Sequence, residues 1–130
     1  MVGWAMSSRS ITPIKGIFYY MKKEYNKLVR DRIPEILLEA GLNFEISTLS
    51  ETEYRQLLRQ KIIEEAQELA ESNAEHLLTE LADLYEVLDA LIETYGLSLD
   101  AILKKQKQRR LERGGFKQRI QLLWTEEAED

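Results

Sequence analysis

The chain contains no cysteine, so disulfides, thiolate metal sites and cysteine nucleophiles are all excluded. Histidine occurs once, at His76, which removes zinc sites built on paired histidines. Proline occurs only at Pro13 and Pro34, and no glycine falls between Gly41 and Gly96, so the middle of the chain lacks helix breakers. No apolar run approaches the roughly 18 residues that a membrane span needs. The segment Met1 to Tyr20 holds short apolar patches without a continuous signal-peptide core. Export and membrane insertion are therefore unsupported, and a cytoplasmic location is the expectation. Positive charge is the most telling absence. Between Ile62 and Leu103 there is neither Lys nor Arg, while the same segment holds eleven acids. Glu–Lys pairs at i,i+4 stabilise a helix and like-charged pairs destabilise it by about 0.2–0.5 kcal/mol each, so a solvated helix normally mixes signs. A segment that accepts this repulsion repeatedly implies a cation that offsets it.

What is present fits one domain. A chain of 130 residues, 44% apolar and 32% charged, supports one hydrophobic core and is neither disordered nor membrane-embedded in composition. A net charge of −5 speaks against a general nucleic-acid binder.

The helix signals are local and specific. A first short helix is expected over Arg32 to Ala40, capped by Asp31, with Pro34 in its first turn and Gly41 as its stop. Leu42 to Leu49 reads as a linker, in which Phe44 and Ile46 alternate enough for a short extended stretch. Ser50-Glu51-Thr52-Glu53 has capping-box spacing, so a second helix should start at Glu51 and run to about Glu71. Ser72-Asn73-Ala74-Glu75 repeats that spacing and should start a third helix, closed by Gly96. Its apolar set, from Leu77 to Tyr95, is wider than one partner helix covers, which predicts burial by a second subunit as well. Ser98 caps a fourth helix to about Arg113, ended by Gly114-Gly115. Phe116 to Trp124 forms a tail apolar enough to pack back. The expected architecture is all-α, a bundle built on an antiparallel hairpin of two long helices and completed by oligomerisation, as a homodimer or higher homo-oligomer.

Two acidic groups carry the chemistry: Glu64-Glu65-x-x-Glu68 on the second helix and Glu80-x-x-Asp83 on the third. Residues three or four apart share a helix face. In an antiparallel hairpin, facing residues have numbers with a constant sum, and Glu68 with Glu80 and Glu65 with Asp83 both give 148. That sum centres the turn on Ala74, inside the turn already inferred. Facing carboxylates without a basic partner repel unless protonated or metal-bound. Oxygen-only ligands suit Mg²⁺, Mn²⁺ or Ca²⁺, and Mg²⁺ in particular completes its shell with waters and substrate phosphates. A di-iron bundle would need two Glu-x-x-His motifs, which the chain lacks. Gly114-Gly115 lacks Walker spacing, and Asp89 and Glu93 read as surface or interface.

The pattern Glu64-Glu65-x-x-Glu68 followed by Glu80-x-x-Asp83 resembles the signature of the MazG-like all-α nucleoside triphosphate pyrophosphohydrolases, a superfamily that includes phosphoribosyl-ATP pyrophosphohydrolase. Tyr25-Asn26-Lys27-Leu28-Val29-Arg30-Asp31-Arg32-Ile33-Pro34 resembles the start of a house-cleaning subgroup, and Arg113-Gly114-Gly115-Phe116 resembles its end. On that likeness residues 21–124 form the helical domain and residues 125–130 an acidic tail. Residues 1–20 fall outside it and read as an N-terminal extension, either a true one or the product of a wrongly chosen start, with a disordered leader as the expectation. The resemblance implies Mg²⁺-dependent hydrolysis, with Mn²⁺ as a substitute, of a nucleoside triphosphate to monophosphate and pyrophosphate. It makes Glu65, Glu68, Glu80 and Asp83 the metal ligands, Glu64 the group that orients or deprotonates water, and Lys27, Arg30, Arg110 and Arg113 the phosphate contacts. Phosphoribosyl-ATP hydrolysis and a non-catalytic helical adaptor are the alternatives.

Overall fold

Ser50 decides where the longest helix begins. In the computed structural model its hydroxyl accepts from the Glu53 backbone N–H at 3.2 Å, while the Glu53 carboxylate accepts from the Ser50 N–H at 3.3 Å, closing the expected capping box. Helix α2 then runs Glu51–Glu71. The structure describes residues 10–14 and 17–129, with side chains from residue 22 onward.

The second box does not form. Ser72 is instead the C-terminal cap of α2, its hydroxyl donating to the Leu69 carbonyl at 2.8 Å. The Asn73 side chain takes over, accepting from the His76 N–H at 3.1 Å, and α3 spans Leu77–Thr94, starting later than its sequence suggested. Helix α1 occupies Ile33–Glu39. Asp31 is not its cap: Arg32 holds that position without a side-chain hydrogen bond. Its C-terminus is a Schellman turn, with Gly41 N–H donating to the Leu38 carbonyl and Leu42 N–H to the Leu37 carbonyl. This turn places Gly41 at φ 74°, where a glycine is favoured. Helix α4, Leu99–Arg113, is capped by Ser98 and ends at Gly114 as expected.

Two elements differ from the sequence reading. Residues 42–50 form neither helix nor strand, because two alternating apolar residues have no strand to pair with there. Part of the supposed leader is ordered as an antiparallel hairpin, β1 (Ser10–Ile14) with β2 (Ile17–Met21), in which Ser10 pairs with Met21 and Ile14 with Ile17. β-branched and aromatic residues dominate both strands, a composition that favours pairing. The expectation for residues 1–9 lies outside the described residues. The helices that follow give the all-α architecture expected of the main domain.

The chain divides into two compact units, Met1–Thr94 and Tyr95–Asp130. In the first, α2 packs along α3 as the helical hairpin. Leu58 and Val87 are its buried apolar residues among those described, and Glu65 is buried beside them. The remaining stripe of α3 is open: Leu77, Leu78, Leu81 and Tyr85 are exposed, as is Ile63 on α2. In the second unit, Phe116, Ile120, Leu122, Leu123 and Trp124 are exposed, so the tail lies unpacked in the single chain. Among the described residues no helix is long and apolar enough to cross a membrane.

Candidate active site

One face of α2 carries Tyr54, Leu58, Lys61, Glu65 and Glu68, spaced at three or four residues. The facing side of α3 carries Glu80, Asp83, Val87 and Ala90. Between them, with Leu28–Asp31 and Ile33 alongside, lies a cavity of about 610 Å³ lined by all of these residues and by Glu64 and Glu86. That volume is in the range of small-molecule sites. One end is acidic, and the other, at Leu58, Val87 and Ala90, is apolar.

The hairpin brings Glu65, Glu80 and Asp83 together as the sequence sum required. One carboxylate oxygen from each lies within 4.8 Å of the others. Glu68 stands next to this trio rather than inside it. Its partial desolvation raises its pKa first of all, and the charge of Glu65, close enough to share a proton with it, raises it further, with Glu80 and Glu64 adding to the effect.

Of the four facing carboxylates, Glu65 and Asp83 do have basic partners, contrary to expectation, and so does neighbouring Glu64. Lys61, one turn earlier on α2, reaches Glu64 at 3.3 Å and Glu65 at 3.4 Å. Lys27 reaches Glu64 at 2.9 Å and lies 5.4 Å from the centre of the Tyr25 ring. Arg30 reaches across to Asp83 at 3.0 Å. The segment between Lys27 and Arg30 thus grips both helices through site carboxylates. Burial pushes the Glu64 carboxyl up, but the hydrogen bond from Lys27 and the charges of Lys61 and Lys27 outweigh it and hold the group below the usual carboxylate range. Lys61 was missed in the sequence, although its i,i+3 and i,i+4 spacing to Glu64 and Glu65 is the local signal that marks it.

Among the described residues, neither Glu68 nor Glu80 has an ion-pair partner. The Oε2 atoms of Glu65 and Glu80 are buried and accept no hydrogen bond. A buried carboxylate oxygen without a donor is costly. The cavity lining carries seven carboxylates, Asp31, Glu64, Glu65, Glu68, Glu80, Asp83 and Glu86, against the cations Arg30 and Lys61 with Lys27 beside Glu64, so an excess of negative charge remains. Oxygen donors alone, two of them orphaned, fit a hard divalent cation.

Of the remaining expected residues, Lys27 and Arg30 are at the site, engaged with Glu64 and Asp83. Arg110 and Arg113 lie exposed in the last turn of α4, in the second unit.

A family model described as phosphoribosyl-ATP pyrophosphohydrolase matches residues 23–110, which include all of α1, α2 and α3. Among curated proteins and among solved structures, none matches the chain.

Proposed function

The chain belongs to the phosphoribosyl-ATP pyrophosphohydrolase family, within the MazG-like superfamily of all-α pyrophosphohydrolases, and on that premise we propose that it hydrolyses a nucleoside triphosphate to monophosphate and pyrophosphate with Mg²⁺. A pyrophosphohydrolase acting on a nucleotide-type substrate is what the family membership supports. The observation that carries the metal is the convergence of Glu65, Glu80 and Asp83, two of them with a buried, donorless oxygen.

In this reading Glu65, Glu80 and Asp83 hold the cation, and Glu68 joins from the next turn of α2. When bound, the ion polarises phosphoryl oxygens and acidifies a coordinated water. Lys27 and Lys61 hold the Glu64 carboxyl below the usual carboxylate range and so favour its ionised form. The same neighbours weaken it as a base, so its first role is to accept a hydrogen bond from the attacking water and orient it. Lys27 and Arg30 supply positive charge beside the carboxylates, and Arg110 and Arg113 are further candidates for phosphate contact. Water attack breaks the α–β phosphoanhydride bond, and pyrophosphate leaves.

The second reading is phosphoribosyl-ATP as the substrate, which the description of the matching family model favours directly. It is itself a substituted nucleoside triphosphate, cleaved at the same bond. A non-catalytic adaptor would make no use of the orphaned carboxylates. Assembly as a homodimer is supported by the open stripe of Leu77, Leu78, Leu81 and Tyr85. Phosphoribosyl-ATP and a panel of normal and damaged nucleoside triphosphates, each assayed for pyrophosphate release with Mg²⁺, separate these readings. Release from a triphosphate of the panel supports the first, release from phosphoribosyl-ATP alone selects the second, and release from neither favours the adaptor.

A further inference from the structure

Arg30 is held in a way that ordinary structural salt bridges are not. Its side chain is 56% exposed, yet it spans from the segment before α1 to Asp83 on α3, 53 residues away in sequence. Asp83 is also one of the three carboxylates whose oxygens converge within 4.8 Å. An exposed ion pair contributes little to stability. So the contact is weak enough to be exchanged, and it ends on a group with a second use.

Resting on the metal reading above, we propose that Arg30 and the divalent cation are alternative partners of Asp83, and that metal binding releases Arg30 to the substrate's triphosphate. Three observations support this. Asp83 and Arg30 both line the cavity, so the guanidinium needs only to turn from one oxyanion to another. Its fork suits a phosphate as well as a carboxylate. A divalent ion at Glu65, Glu80 and Asp83 would sit close to a guanidinium bonded to Asp83, and like charges at such distances repel even through water. Lys61 makes the contrast. Its side chain is only 12% exposed and both of its partners lie within one turn on its own helix, so it stays in place as a fixed counter-charge.

The exchange predicts effects of opposite sign from one substitution. Removing Arg30 should strengthen metal binding to the nucleotide-free protein, because a competitor is gone, and weaken nucleotide binding, because a phosphate contact is gone. A supporting role, in which Arg30 merely orients Asp83 toward the metal, predicts that both weaken. The control is Arg32→Ala. Arg32 carries the same charge two residues away but pairs with Glu35, outside the cavity.

The experiment measures Mn²⁺ binding to the full chain without nucleotide, by the electron paramagnetic resonance of free Mn²⁺, beside KM and kcat with Mg²⁺. The proteins are wild type, Arg30→Ala, Arg30→Met and Arg32→Ala. Arg30→Met keeps the aliphatic stem in case the shorter side chain disturbs the segment. Expected are about three- to tenfold tighter Mn²⁺ binding for both Arg30 variants, a raised KM with a smaller change in kcat, and wild-type behaviour for Arg32→Ala. Unchanged or weaker Mn²⁺ binding in the Arg30 variants, while wild type binds the ion, overturns the exchange and leaves the metal site standing. Failure of wild type to bind Mn²⁺, with or without a non-hydrolysable triphosphate, overturns the metal site itself.

Discussion

The two helices of the site are charged in different ways. α2 brings its own counter-charge: Lys61 sits among its acids and pairs with both Glu64 and Glu65. α3 has no basic residue at all, so Asp83 depends on Arg30 from a distant segment and Glu80 has no ion-pair partner among the described residues. The α2 half of the site is therefore set in geometry without a metal, while the α3 half is held together against repulsion. A cation bound between them acts mainly on α3. On the proposed metal reading, ligands with a counter-charge on one side and repelling ligands on the other would leave the ion's shell to be completed by substrate phosphates.

That difference can be broken in several ways. The largest effect should come from removing a ligand: Glu65→Gln or Asp83→Asn should lower kcat by at least about 100-fold, the loss of several kcal/mol of charge stabilisation. Circular dichroism should show both variants still helical. Next is Lys61→Met, which leaves Glu64 and buried Glu65 without their local cation. It should cost about 1–3 kcal/mol in metal-free protein by chemical denaturation, and added Mg²⁺ should recover part of that loss. On α3 the sign reverses. Glu80→Gln should stabilise the metal-free protein by about 0.5–1 kcal/mol, since it relieves repulsion without orphaning a cation. Asp83→Asn should change it little, because relief of repulsion is offset by loss of the Arg30 pair.

The smallest effects are in the pH dependence of metal-free stability. Glu64 has a lowered folded-state pKa. Its contribution is present above the unfolded value and is lost as pH falls through the folded one, so Glu64→Gln should flatten the acid limb. Glu68 has a raised folded-state pKa. Its contribution is present below the unfolded value and is lost as pH rises through the folded one, so Glu68→Gln should flatten a decline on the neutral side. Melting temperatures across that range, in the presence of a chelator, read both limbs.

Much of this arrangement was legible in the sequence where the signal is local. The Ser50–Glu53 box, the Gly41 and Gly114 stops, and the facing of Glu65 with Asp83 all depend on residues a few positions apart or on one turn of known place. The Ser72–Glu75 box failed because Ser72 belongs to the end of α2 and Asn73, one residue on, accepts from the His76 N–H in the turn that leads to α3. Arg30 on Asp83 was not legible, since nothing in periodicity links residues 53 positions apart. The hairpin of β1 and β2 was hidden because residues 10–21 lie ahead of the segments that carry the family resemblance.

The most direct test of the site follows the products by phosphorus NMR. Wild type with Mg²⁺ and a nucleoside triphosphate from the panel, or phosphoribosyl-ATP, should give monophosphate and pyrophosphate in equal amounts. A chelator should abolish the reaction, as should Glu65→Gln. Cleavage that persists with chelator or in Glu65→Gln, or that yields orthophosphate and a diphosphate, would contradict a metal-dependent pyrophosphohydrolase built on these two helices.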